Sequence, residues 1–158
     1  GETNTAIELA NKALLLAKGR DMKVQIHKTQ FLIGMFHYAN GDYGIAMNEF
    51  FEESYNWLEK NSKDDGLYDM AVYYSCLKKL NREYDASNLV LLIEDTPKDK
   101  ISFETNYRLY QIFDDSEYLK SAYDEIMDLK SNLDDKTGEK FSAYPIQKEI
   151  IDAYGRIS

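Results

Sequence analysis

Residues 31–57, FLIGMFHYANGDYGIAMNEFFEESYNW, constrain the fold more than any other stretch of this chain. An apolar helical pattern ends at Gly41, a tight GDY turn follows, and a second pattern restarts with Ala46 and Phe50 on its inner face. Gly34 puts a small residue where the two helices would cross. A helix–turn–helix of this kind has an apolar face that it cannot bury alone. It must stack on further helix pairs, and stacked pairs usually hold partners rather than perform chemistry.

The rest of the chain reads the same way. Thr3 or Asn4 is placed to cap a first helix through about Lys18, with Ala6, Leu9, Ala10, Ala13, Leu14 and Ala17 spaced as one buried stripe. Asp21 is expected to cap a second helix to about Asn40. It carries Val24, Phe31, Met35 and Tyr38 on one side and Ile26, Ile33 and His37 on another. A helix apolar on two sides is sandwiched between neighbours. Asp42 would cap a third helix to about Asn61, presenting Tyr43, Ala46, Phe50 and Trp57.

NSKDDG at 61–66 is the clearest loop, and a helix is expected from about Leu67 to Leu80. The run LVLLI within Tyr84–Glu94 has the composition of a buried strand, but no second strand exists to pair with it, so it reads as helix. Thr96-Pro97 signals the start of a helix to about Phe113. Asp114 or Asp115 opens the next, with Tyr118, Ala122, Ile126, Leu129 and Leu133 as its apolar stripe. DDKTGEK reads as a polar loop before a last helix from about Phe141 to Tyr154, with Pro145 near its first turn. Eight helices and no strand define an all-α chain.

Composition narrows the function. A net charge of −9 with no basic stripe argues against a nucleic-acid surface, which needs clustered Lys and Arg. One cysteine, Cys76, excludes an internal disulfide and fits a reducing, cytoplasmic compartment, the alternative being a disulfide-free secreted domain. No apolar run is longer than the five residues of Leu89–Ile93, far short of a membrane span. The 158 residues are enough for a single domain, and the opening at Gly1-Glu2-Thr3, inside a helical pattern, reads as a fragment of a longer protein.

The register of the second helix in each pair recurs along the chain. Ala6, Ala46, Ser87 and Ala122 hold the small-residue position at spacings of 40, 41 and 35 residues, and Phe50, Leu91 and Ile126 follow four residues on, with Ala10 in the first. Gly34 and Ser75 supply small crossing residues, and Tyr43 and Tyr84 follow the turns. The pattern resembles the tetratricopeptide repeat family in its longer-repeat bacterial form, over roughly 3–133, with 27–60 as the fullest unit. Glu53 or Ser54 stands where that family has a second alanine, and bulky Tyr110 where it has a small residue.

The resemblance implies one domain over 1–158, a right-handed α-α superhelix of units at 3–19 (partial), 21–61, 67–95 and 97–133, with a terminal helix within 138–155. It also implies a concave groove lined by the first helices. Lys28, Phe31, Met35 and Tyr38 would face it from one unit, Asp69, Val72, Cys76 and Lys79 from the next, and Glu104, Tyr107 and Gln111 from the third. Such a surface suits an extended or helical peptide held by apolar anchors. It lacks the paired Lys/Asn pattern with which some members clamp a C-terminal carboxylate. The plainer alternative is that these residues are the core of an ordinary helical bundle.

Little points to catalysis. His27 and His37 are ten residues apart on one helix and Cys76 is a lone sulfur, so neither a metal site nor a Cys–His pair is indicated. The adjacent acids Glu52-Glu53, Asp64-Asp65, Asp114-Asp115 and Asp134-Asp135 suit helix starts and loops better than acid–base pairs. Asn61–Gly66 is only superficially like a calcium loop, because Lys63 takes a ligand place and Val72 stands where the bidentate acid belongs. No GxxxxGK, GxGxxG or GxSxG motif is present. The expectation is a protein that is not an enzyme and takes no cofactor or metal: a protein- or peptide-binding scaffold. The alternative is a regulatory or oligomerising segment of a bacterial signalling protein, such as a sensor kinase or peptide-responsive regulator, with a homodimer in view.

Overall fold

The computed structural model describes residues 2–61 and 66–157; the expected loop at 61–66 and the Asp64-Asp65 pair therefore fall largely or wholly outside the described residues. The described residues form nine helices and no strand, so the chain is all-α. It divides into two compact units, Gly1–Ala86 and Ser87–Ser158. That boundary falls between the two helices of the repeat expected over 67–95.

The first unit holds α1 (Glu2–Gly19), α2 (Lys23–Ala39), α3 and α4 (Leu67–Lys79). α3 is continuous in three parts: Tyr43–Ile45, a π-helical turn at Ala46–Phe51, and Glu52–Asn61. As its two-sided pattern implies, α2 is sandwiched. Ile33 packs with Ala10 and Leu14 of α1, while Phe31 meets Phe51 of α3 with ring centroids 4.7 Å apart. At the α2–α3 crossing, a Cβ on Gly34 would lie 2.6 Å from the Phe51 ring, so only glycine fits there.

The π turn changes which residues α3 buries. Its inner face was expected to run from Ala46 to Phe50 and Trp57. Instead the fully buried residues are Ala46, Met47 and Phe51, followed by Ser54, Tyr55 and Leu58, with Phe50 and Trp57 half-buried. Ala46 to Phe51 is the i,i+5 spacing of a π turn, and 51, 54, 55, 58 returns to the ordinary helical period. Ser54, fully buried, donates its hydroxyl to Phe50 O.

Three helix ends in this unit close alike. Asp21 (φ 51°), Gly41 (φ 85°) and Asn81 (φ 52°) adopt left-handed backbone after α1, α2 and α4. The next residue's N–H reaches back over the last turn: Met22 to Ala17 O at 3.0 Å, Asp42 to His37 O at 2.9 Å and Arg82 to Leu77 O at 3.0 Å. Two expected caps are corrected by this. Asp21 terminates α1 instead of starting α2, whose N-cap is Met22, and Asp42 sits at the N-cap of α3 without a side-chain hydrogen bond. α1 is already helical at Glu2, so Thr3 and Asn4 lie within it. Its buried stripe is Ala10, Leu14 and Ala17, while Leu9 and Ala13 face solvent.

The second unit holds α5 (Ser87–Asp95), α6 (Phe103–Phe113), α7 (Ser116–Ser131), α8 (Asp135–Ser142) and α9 (Pro145–Tyr154). LVLLI is indeed helical. Thr96-Pro97 does not open α6: a 3-10 turn at Lys98–Lys100 intervenes, and Ser102 caps the helix by accepting from Thr105 N at 3.3 Å. Asp115 caps α7 by accepting from Glu117 N, and Asp134 caps α8 by accepting from Thr137 N, each at 3.0 Å. DDKTGEK is therefore mostly helix, because Asp134 and Thr137 form a side-chain cap that a polar composition hides.

Tyr107, Leu119, Ala122, Ile126, Ile150 and Ala153 form the core of this unit. Leu119 replaces Leu129 and Leu133 in the expected stripe of α7, and both of those are exposed. Pro145 stands at the first turn of α9, where a missing N–H costs nothing.

Candidate functional site

The side chains at 28, 31, 32 and 35 share one face of α2, because residues three, four and seven apart stack on one side of a helix. With Leu58 of α3 and Asp69 of α4 they line a recess of about 280 Å³ in the first unit. Phe31 and Leu58 are buried and form its floor, braced from behind by Phe51. Leu32 is exposed at its edge and Met35 half-buried. Lys28 and Asp69 add one charge of each sign. The volume lies below the roughly 300–1,000 Å³ typical of small-molecule pockets and suits a single large side chain.

Four of the expected groove residues, Lys28, Phe31, Met35 and Asp69, thus come together. The others do not join them. Tyr38, one turn beyond Met35, is buried with its hydroxyl 3.2 Å from Ser75 Oγ and its ring edge-on to Tyr43. Val72 is buried, and Lys79 is exposed at the end of α4. Tyr107 is a core residue of the second unit, stacked near Tyr110, and Gln111 accepts from Arg108 at 2.9 Å. Glu104, half-buried, belongs to that unit too. Leu32 and Leu58 were missed. Leu32 follows Lys28 by one turn and was readable; Leu58 enters the inner face only through the π turn.

His27, His37 and Cys76 of the first unit serve packing. His27 stacks on Trp57 with centroids 4.4 Å apart and planes 16° from parallel, and burial holds its pKa below the ordinary 6.5. His37 stacks on Phe50, with Nδ1 3.7 Å from Asp42 Oδ2. Cys76 is fully buried; its Sγ donates to Tyr43 O at 3.6 Å, and burial pushes the thiol up to about 11. At neutral pH it is a protonated thiol, the wrong form for a nucleophile. Among the described residues no three of His, Cys, Asp and Glu come together as a metal-binding group, and no helix is long and apolar enough to cross a membrane.

Compared with protein-family models, curated proteins and solved structures, the chain matches none of them.

Proposed function

We propose that the protein is a non-catalytic scaffold of tetratricopeptide-like helix pairs, working in the cytoplasm, that binds a protein or peptide through the recess of its first unit. The observation that carries this reading is the convergence of Lys28, Phe31, Met35 and Asp69 on one apolar-floored recess of side-chain size. The Gly34–Phe51 approach and the buried small residue Ser54 support the repeat-like character of the α2–α3 pair. The ligand expected is a peptide segment with one large apolar anchor flanked by charges.

Displayed linear peptides selected on the whole 158-residue chain provide the test. Selected peptides should share a Phe, Leu or Met anchor and should lose at least about tenfold in affinity against Met35→Glu, because the carboxylate removes an apolar contact and is desolvated when the anchor enters the recess. Peptides that bind Met35→Glu and the parent chain equally would overturn the reading.

One observation favours the alternative of a self-associating regulatory segment of a bacterial signalling protein. On α1, Leu9, Leu15 and Leu16 are 61%, 70% and 66% exposed. Light scattering over a concentration series separates the two readings. A constant mass near 18.4 kDa supports the scaffold, and a concentration-dependent dimer, abolished by Leu9→Glu/Leu16→Glu, supports the segment.

A further inference from the structure

The second unit carries a recess of a different kind. About 480 Å³ in volume, it falls within the small-molecule range. It opens between the end of α5, the 3-10 turn and the starts of α6 and α7. Its apolar contribution is Ile93 and Ile101, and the half-buried ring of Tyr118 adds a flat wall. Around these stand three carboxylates, Glu94, Asp115 and Glu117, against one cation, Lys98.

Local structure explains why negative charge is left over. Thr96 Oγ1 donates to Leu92 O at 2.6 Å and ends α5, which brings Glu94 to the rim. The N-terminus of α7 would attract an anion, but Asp115 already fills that role: its Oδ1 accepts from Glu117 N. The positive end of the helix is thus satisfied from within the chain, and the recess keeps its acidic balance. Asn106, 7% exposed, also lines it. Its Nδ2 donates to Ile101 O at 3.0 Å, which leaves the amide carbonyl as the acceptor for an incoming donor. Burial and the neighbouring Asp115 raise the Tyr118 phenol, so this wall stays neutral. Phe113 flanks its ring with centroids 6.1 Å apart, and Tyr118 lines the recess beside it as an aromatic surface of the kind that attracts cations.

We infer that this recess binds an organic cation, an ammonium or guanidinium group on a short apolar stem. Glu94, Asp115 and Glu117 supply the countercharge, Tyr118 the aromatic surface and Asn106 the directional acceptor. The cation has two possible sources, a free diamine-type metabolite or a Lys or Arg side chain of a peptide. The site is independent of the first unit's recess and stands or falls separately from the scaffold reading.

Titration of the whole ¹⁵N-labelled chain with agmatine, and separately with an N-acetylated, C-amidated Gly-Arg-Gly peptide, tests it. Saturable shifts at the amides of 93–96, 101 and 115–118 are expected. Agmatine acting alone assigns the free-metabolite source, and the peptide acting at least as well assigns the side-chain source; both support the site. The double variant Glu94→Gln/Glu117→Gln should bind about fivefold more weakly, and Lys98→Gln should bind about twofold or threefold more tightly, since it removes the like charge. The opposed signs separate binding from general damage to the fold, and Lys98→Gln alone keeps the test alive if the double variant does not fold. No saturable shift with either probe up to about 20 mM, or affinities unmoved by both variants, overturns the inference. The same shifts produced by inorganic phosphate overturn it as well.

Discussion

The two units solve the same problem, ending and packing short helices, by different means. In the first, α2, α3 and α4 start without side-chain caps, and order comes from contacts between helices: Phe31 on Phe51, His27 on Trp57, His37 on Phe50, and Gly34 admitting α3. In the second, which has its own interhelical stack of Tyr123 on Tyr154 with centroids 4.2 Å apart, α6, α7 and α8 also each begin on a side-chain cap, at Ser102, Asp115 and Asp134. Aromatic packing concentrates stability in a few irreplaceable contacts, whereas capping spreads it over local bonds of about 1 kcal/mol each. The first unit should therefore be brittle and the second forgiving.

The largest effect should come from Gly34→Val, which forces side-chain atoms into the Phe51 ring. A loss of about 3 kcal/mol is expected in denaturant unfolding followed by the fluorescence of Trp57, the chain's single tryptophan and a reporter of the first unit. A loss below about 1 kcal/mol would mean that α3 yields easily and that the contrast between the units is wrong. Ser102→Ala should cost about 1 kcal/mol, measured by amide exchange in α6, with Trp57 unaffected.

Acid sharpens the comparison further, because the units should respond in opposite directions. His27 has its pKa lowered by burial, so its contribution is complete above 6.5 and is lost as pH falls through its folded value. Glu125 in α7 has its pKa raised, chiefly by burial and further by Glu104. Its contribution is complete below 4.5 and is lost as pH rises through its folded value. Between about pH 6.5 and 4.5 the first unit should loosen while the second tightens slightly. Amide exchange at several pH values reads both, and His27→Phe, which keeps a ring on Trp57, should remove the first response. The smallest effect belongs to Asp134, whose pKa is lowered mainly by its bond to the Thr137 hydroxyl. Its cap should persist down to about 3.8 and fail as pH falls through its lower folded value, read as fraying of α8 alone.

Much of the first unit was legible in the sequence. The double apolar pattern of α2 foretold its sandwich, and Gly34 marked the crossing. Four residues of the recess, Lys28, Phe31, Met35 and Asp69, are among those that the tetratricopeptide resemblance implied. What could not be read was the phase of α3. In the run Glu49-Phe50-Phe51 either phenylalanine could face inward; both reach Gly34, but it is the Phe51 ring that lies over it and is fully buried. The miss of Leu58 follows from that one-residue shift. In the second unit the errors concern caps: the start signal at Thr96-Pro97 is followed by a 3-10 turn, and the helix opens instead on Ser102, whose hydroxyl accepts from Thr105 N. The polar recess was not foreseen, because it joins Glu94 to Glu117 across four separate elements.

The wide turn at Ala46–Phe51 has a further consequence for how this chain tolerates changes of length. One extra residue in a regular helix turns everything beyond it by about 100°, which would swing Ser54, Tyr55 and Leu58 away from the core. The turn absorbs such a rotation within six residues, so both ends of α3 keep their partners. It behaves as an expansion joint: deleting one residue between 46 and 51 should straighten the helix while leaving its two ends seated, a change that a helix without such a joint could not survive.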